Sequence, residues 1–540
     1  MKKNIIYYIS VFSMCAMFLP SICSAGKYWV FFKDKDGMSF DPYTYFDAKA
    51  IERRIINNVP LSDYTDWPVR PDYIRCISDV VDSVRQISRW FNAAAVCCNE
   101  EQITAINTLS FVKKVAAITS VASVAAVEEI SDNSPPEELL AHQLNRFEAH
   151  YFYDKGIDGK GVRIAIFDAG FPTVDENLAF EHIRKDNRII KTWDFVRNKE
   201  NVYAYSSHGM MVFSCIGGLL NGDKIGLATG AEYLLARTEI GKREPYSEEE
   251  NWLAAVEWAD KNGAQIINSS LAYTFNRYFP SEMDGEKSLV ARAANMAASK
   301  GILVVNAAGN DGNKQWKIIG TPADADSVLS VGGINPYTNY HISFSSFGPN
   351  ANNHIKPNVC AFGRAVVAGK KFLIVADGTS FASPLVAGFA ACALQSRPGI
   401  KTMDLFHDIE RSADLYPYFD YAHGYGVPQA YYFTSNRHRY APTFDVVARD
   451  GKLYVRIFTD TTAVKADSKR DVKATPANPD PPDNEPQYLY YHIENDHGVI
   501  EKYSLISVES EEPLIIDQSS YHHGKTLMLH YKGYTTTYKF

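Results

Sequence analysis

Between Val162 and Val331 the chain alternates two textures. Short, almost continuously apolar runs occur at Val162–Phe167, Tyr233–Ala236, Gln265–Asn268, Ile302–Val305 and Val328–Val331. Longer stretches with helical periodicity lie between them, among them Glu248–Lys261 and Lys287–Lys300. An apolar run without polar alternation suits a strand buried on both faces. Strands that alternate with helices predict an α/β fold, a parallel sheet with helices on both faces. Sites in such sheets form at the carboxyl ends of the strands. Asp168 directly follows the first run and Asn310 closely follows the fourth, so both fall where chemistry is expected.

The two ends of the chain read differently. Lys27–Phe32, Trp90–Cys98 and Phe111–Ile118 are strand-like, while Phe46–Asn57, Pro71–Ser88 and Glu100–Leu109 are helix-like. Their alternation predicts a small α+β unit. Ser131-Asp132-Asn133-Ser134-Pro135-Pro136 then breaks the pattern and suits a boundary or a processing site. Beyond about Tyr432 the apolar positions fall into short alternating segments, Phe444–Val447, Leu453–Ile457, Tyr488–Ile493 and Leu527–Tyr531. These predict an all-β unit, with Val464–Gln487, rich in Pro, Asp, Lys and Asn, as a flexible loop. The expected organisation is a leader over 1–25, an α+β unit over 26–134, an α/β unit over 135–432 and a β unit over 433–540.

Composition narrows the function classes. The 540 residues are 46% hydrophobic and 22% charged, with a net charge of −8. That gives no reason to expect a nucleic-acid partner. The run Glu248-Glu249-Glu250 reads as a solvated helix face. Lys2 and Lys3 precede an apolar run from Ile5 to Leu19, and Cys23-Ser24-Ala25 offers small residues for cleavage before Gly26. This reads as a secretion signal, with Ile22 bulky for a lipoprotein site at Cys23. No later apolar run is long enough to span a bilayer. Export permits disulfides. However, the cysteines left after the leader fall in two odd groups: Cys76, Cys97 and Cys98, then Cys215, Cys360 and Cys392. Cys97 and Cys98 would point to opposite faces of a strand. Cys215 and Cys392 read as buried thiols in helices.

Four motifs carry the chemistry. Phe167-Asp168-Ala169-Gly170 ends a strand, and Ser207-His208-Gly209-Met210 opens a helix. Ala307-Ala308-Gly309-Asn310 follows a strand, and Gly378-Thr379-Ser380-Phe381-Ala382-Ser383-Pro384 opens a second helix. Singly, each has a plainer reading: a loop aspartate, a surface histidine, a turn asparagine, a helix-capping serine. Together they supply a nucleophile at a helix start, a base and an orienting acid. No His-Glu-x-x-His signature supports metal catalysis, and no Gly-x-Ser-x-Gly elbow surrounds Ser380.

The order Asp, His, Ser and the Gly-Thr-Ser-Phe-Ala-Ser-Pro block resemble the subtilisin-like serine peptidases, or subtilases, over about Gln143–Ala430. The resemblance implies that Ser380 attacks the scissile carbonyl, His208 moves the proton and Asp168 orients the imidazole. It implies that Asn310 gives its side-chain amide to the oxyanion, beside the Ser380 N–H. It implies that Ser269, Ser270 and Leu271 pair with an extended peptide. Ala307, Ala308 and Gly309 would wall the primary pocket, and Gly320 would form its base. A glycine there suggests room for a large apolar residue before the cut, and Tyr273 would narrow the upstream pockets.

Ala169, Met210 and Phe381 depart from common subtilase residues without removing a catalytic atom. The blocks Asp168-Ala169-Gly170-Phe171 and Lys27–Lys33 resemble exported members of Bacteroidetes-type bacteria. The resemblance further implies an N-terminal propeptide acting as an intramolecular inhibitor, processed between Glu128 and Pro136. It implies polypeptide substrates and a monomer. No cofactor is needed for the chemistry. Calcium would be structural, and no acidic loop has a spacing that names its ligands. The expected compartment is the periplasm, the cell surface or the medium. The runner-up is an inactive subtilase-fold protein that binds peptide or scaffolds a partner.

Overall fold

In the computed structural model the chain is described over residues 26–118, 136–240, 246–274, 277–435, 442–458, 487–508, 514–517 and 524–540. The expected leader, nearly all of the Glu128–Pro136 segment and all but the last residue of the Val464–Gln487 loop lie outside the described residues.

Strands β1 (Gly26–Phe32), β2 (Ser83–Ser88), β3 (Ala93–Cys98) and β4 (Val112–Ala117) form an antiparallel sheet in the order β2-β3-β1-β4. Helices α1 (Pro42–Tyr45), α2 (Ala48–Ile56), α3 (Pro71–Ser78) and α4 (Glu100–Asn107) accompany it. One face of the sheet encloses Val30, Phe32, Ile77, Val96 and Ile106. The other brings Trp29, Trp90, Ala93 and Ala95 into a cluster with Trp252, Val256 and Leu289 of the central unit. The helix expected over Pro71–Ser88 stops at Ser78, where the Asp79 N–H closes it onto the Arg75 carbonyl. Ser83–Ser88 alternates between its two sides and pairs with β3, so period 2 wins over the helical reading.

Helices α5 (Pro136–Asn145) and α6 (His150–Tyr153) lead into β5 (Arg163–Asp168), α7 (Glu181–Lys185), β6 (Ile189–Asp194) and α8 (His208–Gly217). A short hairpin, β7 (Leu219–Leu220) with β8 (Asp223–Lys224), precedes β9 (Glu232–Arg237), α9 (Ser247–Lys261), β10 (Ile266–Ser269) and α10 (Leu289–Ser299). Then come β11 (Leu303–Ala307), β12 (Val328–Ile334), β13 (Val359–Phe362), the hairpin β14 (Arg364–Ala368)–β15 (Leu373–Asp377), α11 (Thr379–Ser396) and α12 (Thr402–Ser412).

Seven strands make one parallel sheet in the order β13-β12-β11-β10-β5-β9-β6. Alternate residues of β5 feed the two layers. Ile164 and Ile166 meet α8 and α11 residues such as Met211, Leu385 and Phe389. Ala165 and Phe167 meet Trp252, Ala255 and Ala294 of α9 and α10. This double burial is why the run carries no alternation.

The triplet Glu248-Glu249-Glu250 is buried, not solvated. It fills the first turn of α9, where carboxylates complement the helix N-terminus. Arg277 lies 3.1 Å from Glu249, Tyr278 donates to Glu249, and Arg85 of β2 lies 3.1 Å from Glu250. Partners from two distant segments therefore offset part of the charge of a run that looked like surface. All six described cysteines are free, with Cys97 half-buried and Cys98 buried on the opposite face. Burial pushes the Cys215 and Cys392 thiols up, as suits inert packing.

After α13 (Tyr431–Thr434) the described residues form antiparallel strands: β16 (Phe444–Arg449), β17 (Lys452–Ile457), β18 (Tyr488–Glu494), β19 (Ile500–Ser507), β20 (Leu514–Asp517), β21 (Thr526–Tyr531) and β22 (Tyr534–Lys539). Two sheets, β16-β17-β20 and β19-β18-β21-β22, enclose Phe444, Val455, Leu489 and Leu527. No helix among the described residues is long and apolar enough to cross a membrane.

Candidate active site

Strand β5 lies between β9 and β10, and its last residue, Asp168, is fully buried. Helix α8 begins at His208. Its second residue has to be small, because a Cβ on Gly209 would stand 2.3 Å from the Gly170 carbonyl oxygen and 2.9 Å from Asp168 Cβ. This close approach sets the imidazole on the carboxylate. His208 Nδ1 donates to Asp168, 2.9 Å from Oδ1 and 3.0 Å from Oδ2. The Ala169 N–H holds Oδ1 at 2.7 Å. With Nδ1 carrying the proton, Nε2 is the basic nitrogen.

Burial pulls the His208 proton affinity down, but the Asp168 charge and hydrogen bond outweigh it, and the net shift is upward. A reaction that starts from neutral His208 should therefore lose kcat/KM as pH falls through a midpoint above about 6.5. The acid limb of the pH–rate profile measures this. An Asp168→Asn variant should move the midpoint down, and an unmoved limb would contradict the assignment of His208 as the base.

Helix α11 opens after Gly378, whose φ of +147° favours glycine and whose N–H donates to the Gly363 carbonyl at 2.7 Å. Ser380 is the second residue of this helix, where first-turn N–H groups lack helical partners. The His208 and Phe381 rings lie 5.7 Å apart, which sets the base against the same turn. Ser380 Oγ donates to the Ser270 carbonyl at 3.3 Å, and Ser270 Oγ donates to the Ser380 carbonyl at 3.0 Å. Among the described hydrogen bonds Ser380 Oγ thus faces Ser270. A turn of its side chain toward His208 is what proton transfer requires.

Asn310 reaches this turn through Thr379. Its Oδ1 accepts from both the Thr379 N–H and the Thr379 Oγ1, each at 2.9 Å. With the carbonyl doubly engaged, the amide nitrogen is left to donate. Thr379 was not singled out in the sequence, although it stands beside Ser380. A second unanticipated set is buried behind the nucleophile. Ser383 Oγ donates to Asn268 Oδ1 at 2.9 Å, and Asn268 Nδ2 donates to Ser270 Oγ at 3.1 Å. Asn268, a buried amide ending an apolar run, was the available signal.

The candidate substrate residues are placed unevenly. Ser270 touches Ser380, as above. Ser269 is buried, and its Oγ accepts from the Trp252 indole at 3.0 Å, so its side chain faces α9. Leu271 is buried and its carbonyl accepts from Asn306 Nδ2 at 2.8 Å. Ala308 is buried, and its carbonyl accepts from the Gly320 N–H at 3.1 Å. The Gly309 N–H donates to Thr379 Oγ1 at 3.3 Å. Tyr273 is buried beneath the Arg277 guanidinium, 4.0 Å from its ring centroid, so it does not narrow an open pocket. Among the described residues no three His, Cys, Asp or Glu side chains converge to hold a metal, so calcium is assigned no ligands.

A parallel sheet of this order with Asp168, His208 and Ser380 at element ends along its carboxyl edge is the arrangement expected of a subtilisin-type fold. Residues 159–426 match the subtilase family, and residues 27–134 match the peptidase S8 propeptide domain of Bacteroidota. The chain belongs to the subtilase family and is a serine endopeptidase. Subtilisin NAT of Bacillus subtilis subsp. natto is 28% identical over 327 residues, 60% of this chain and 75% of that protein. M-protease of Shouchella clausii is 26% identical over 288 residues, 53% of this chain and 68% of that protein. The crystal structure of MycP1 from Mycobacterium smegmatis is 20% identical, covers 59% of this chain and 92% of that one, and superposes with a TM-score of 0.46.

Proposed function

We propose that this chain is an exported endopeptidase that hydrolyses polypeptides through an acyl-enzyme on Ser380. His208 takes the Ser380 proton and returns it to the leaving amine. Asp168 keeps the imidazole in the required tautomer and stabilises its charged form. Asn310 Nδ2 and the Ser380 N–H receive the oxyanion. The observation that carries this reading is the approach of two pairs at neighbouring helix starts: buried His208 on Asp168 at α8, and Asn310 locked by Thr379 next to Ser380 at α11. The N-terminal unit, proposed as residues 26–134, is a propeptide that covers the enzyme until it is processed. A leader over 1–25 directs export, 135–432 is the catalytic unit and 433–540 a β domain, with the enzyme acting as a monomer.

Asn310→Ala tests the oxyanion assignment. Removing one preorganised donor should lower kcat by about 10²–10³-fold with little change in KM. Steady-state kinetics on a fluorogenic peptide would read it. A kcat within a factor of about three of wild type would show that Asn310 is only a turn residue.

A further inference from the structure

We propose that the subsite for the residue before the cut accepts only small side chains: glycine, alanine or serine. The proposal rests on Ser380 being the nucleophile. The carbonyl it attacks has to lie at Ser380 Oγ and within reach of the Asn310 amide. Two segments flank that point. Ser270–Thr274 is tied to Ser380 through the Ser270 hydroxyl and carbonyl, and Ala307–Asn310 is tied to Thr379. The Asn306 amide joins them by its bond to the Leu271 carbonyl. The side chain next to the attacked carbonyl must enter the slot between these segments. Gly320, hydrogen-bonded to Ala308, closes the slot below.

Methyl groups of this chain crowd the two glycines that border the slot. A Cβ built on Gly320 would stand 2.9 Å from Ala272 Cβ and 2.8 Å from Thr274 Cγ2. A Cβ built on Gly309 would stand 2.9 Å from Ser346 Oγ and 3.3 Å from the same Ala272 methyl. Non-bonded carbons settle at about 3.5–4 Å. Ala272 Cβ therefore lies in contact range of the Cβ positions of both glycines, and Thr274 Cγ2 of that of Gly320. Neither wall can simply retreat, because Tyr273 and Thr321 exchange backbone bonds of 2.9 and 3.1 Å beside it. The room for a large apolar side chain expected from a glycine at position 320 is thus occupied from across the slot.

The test is a cleavage profile of the processed wild-type enzyme on peptides varied before the cut, with fluorophosphonate labelling in parallel. Ala, Gly or Ser should be favoured over Phe, Tyr, Leu and Met by roughly tenfold or more in kcat/KM. Ala272→Gly and, separately, Thr274→Ala should raise the Leu-to-Ala ratio by about tenfold. A labelled enzyme that prefers Phe or Leu, or whose ratio neither variant moves, overturns the subsite and leaves the Ser380 chemistry standing. A processed enzyme that is neither labelled nor active on any peptide overturns both.

Discussion

Ser380→Ala is expected to lower peptide hydrolysis by on the order of 10⁶-fold and to leave the precursor at full length. The size follows from how the residues act as a unit. Without Oγ, the His208–Asp168 pair has no proton to accept, and the acyl-enzyme cannot form. What survives is the oxyanion donor and substrate binding, worth about 10³–10⁴ over water. Substitution at this position is structurally mild. Among the described residues Ser380 Oγ makes one long bond, to the Ser270 carbonyl, while the helix start is held by Gly378 and Thr379. Thermal unfolding of Ser380→Ala should match wild-type precursor, so the activity loss reads chemistry. His208→Ala should behave the same way, and the double variant should be no worse than either single one.

Asp260→Ala should destabilise the precursor by about 3–5 kcal/mol, far more than it destabilises the processed enzyme. Asp260 lies near the carboxyl end of α9 and receives two buried guanidinium groups from α2 of the N-terminal unit. Arg54 lies 2.7 Å from Asp260 and 2.8 Å from Asp66, and Arg53 also bonds Asp260. Lys300, at the end of α10, joins from the other side, 3.0 Å from Asp63 and 3.3 Å from Asp66. Burial lowers Arg53 to about 10 even beside Asp260, a sign of how dry the cluster is. Removing Asp260 leaves the desolvated Arg53 with no carboxylate among the described residues and Arg54 with Asp66 alone. The network crosses between the two units. Once the N-terminal unit has gone, those cations have gone with it. Chemical unfolding of precursors locked by Ser380→Ala, compared with processed enzyme, measures the difference. Equal losses in both forms would contradict a clamp between units.

What the sequence revealed, and what it hid, follows from range. The strand at Val162–Phe167 was legible because both faces are buried and every position reports it. Asp168, His208, Asn310 and Ser380 were legible because each sits in a short block at an element end. Thr379 and Ser383 escaped because a buried hydrogen bond leaves no local pattern, and Asn268 left only its place at the end of an apolar run. The Glu248–Glu250 run misled for the same reason. Its partners, Arg277 and Arg85, come from segments that no local window contains. The helix expected through Ser88 failed where strand pairing with β3 overrode a weak helical period. Gly320 was found as a glycine, yet the space above it is set by Ala272 and Thr274 from another loop.

The central claim is that Ser380 is the residue made reactive by His208. Labelling the processed enzyme with a fluorophosphonate, then mapping the adduct by peptide mass spectrometry, tests it most directly. The predicted result is one adduct, on Ser380, absent from His208→Ala. An adduct on another serine, or none on processed wild-type protein, would contradict it.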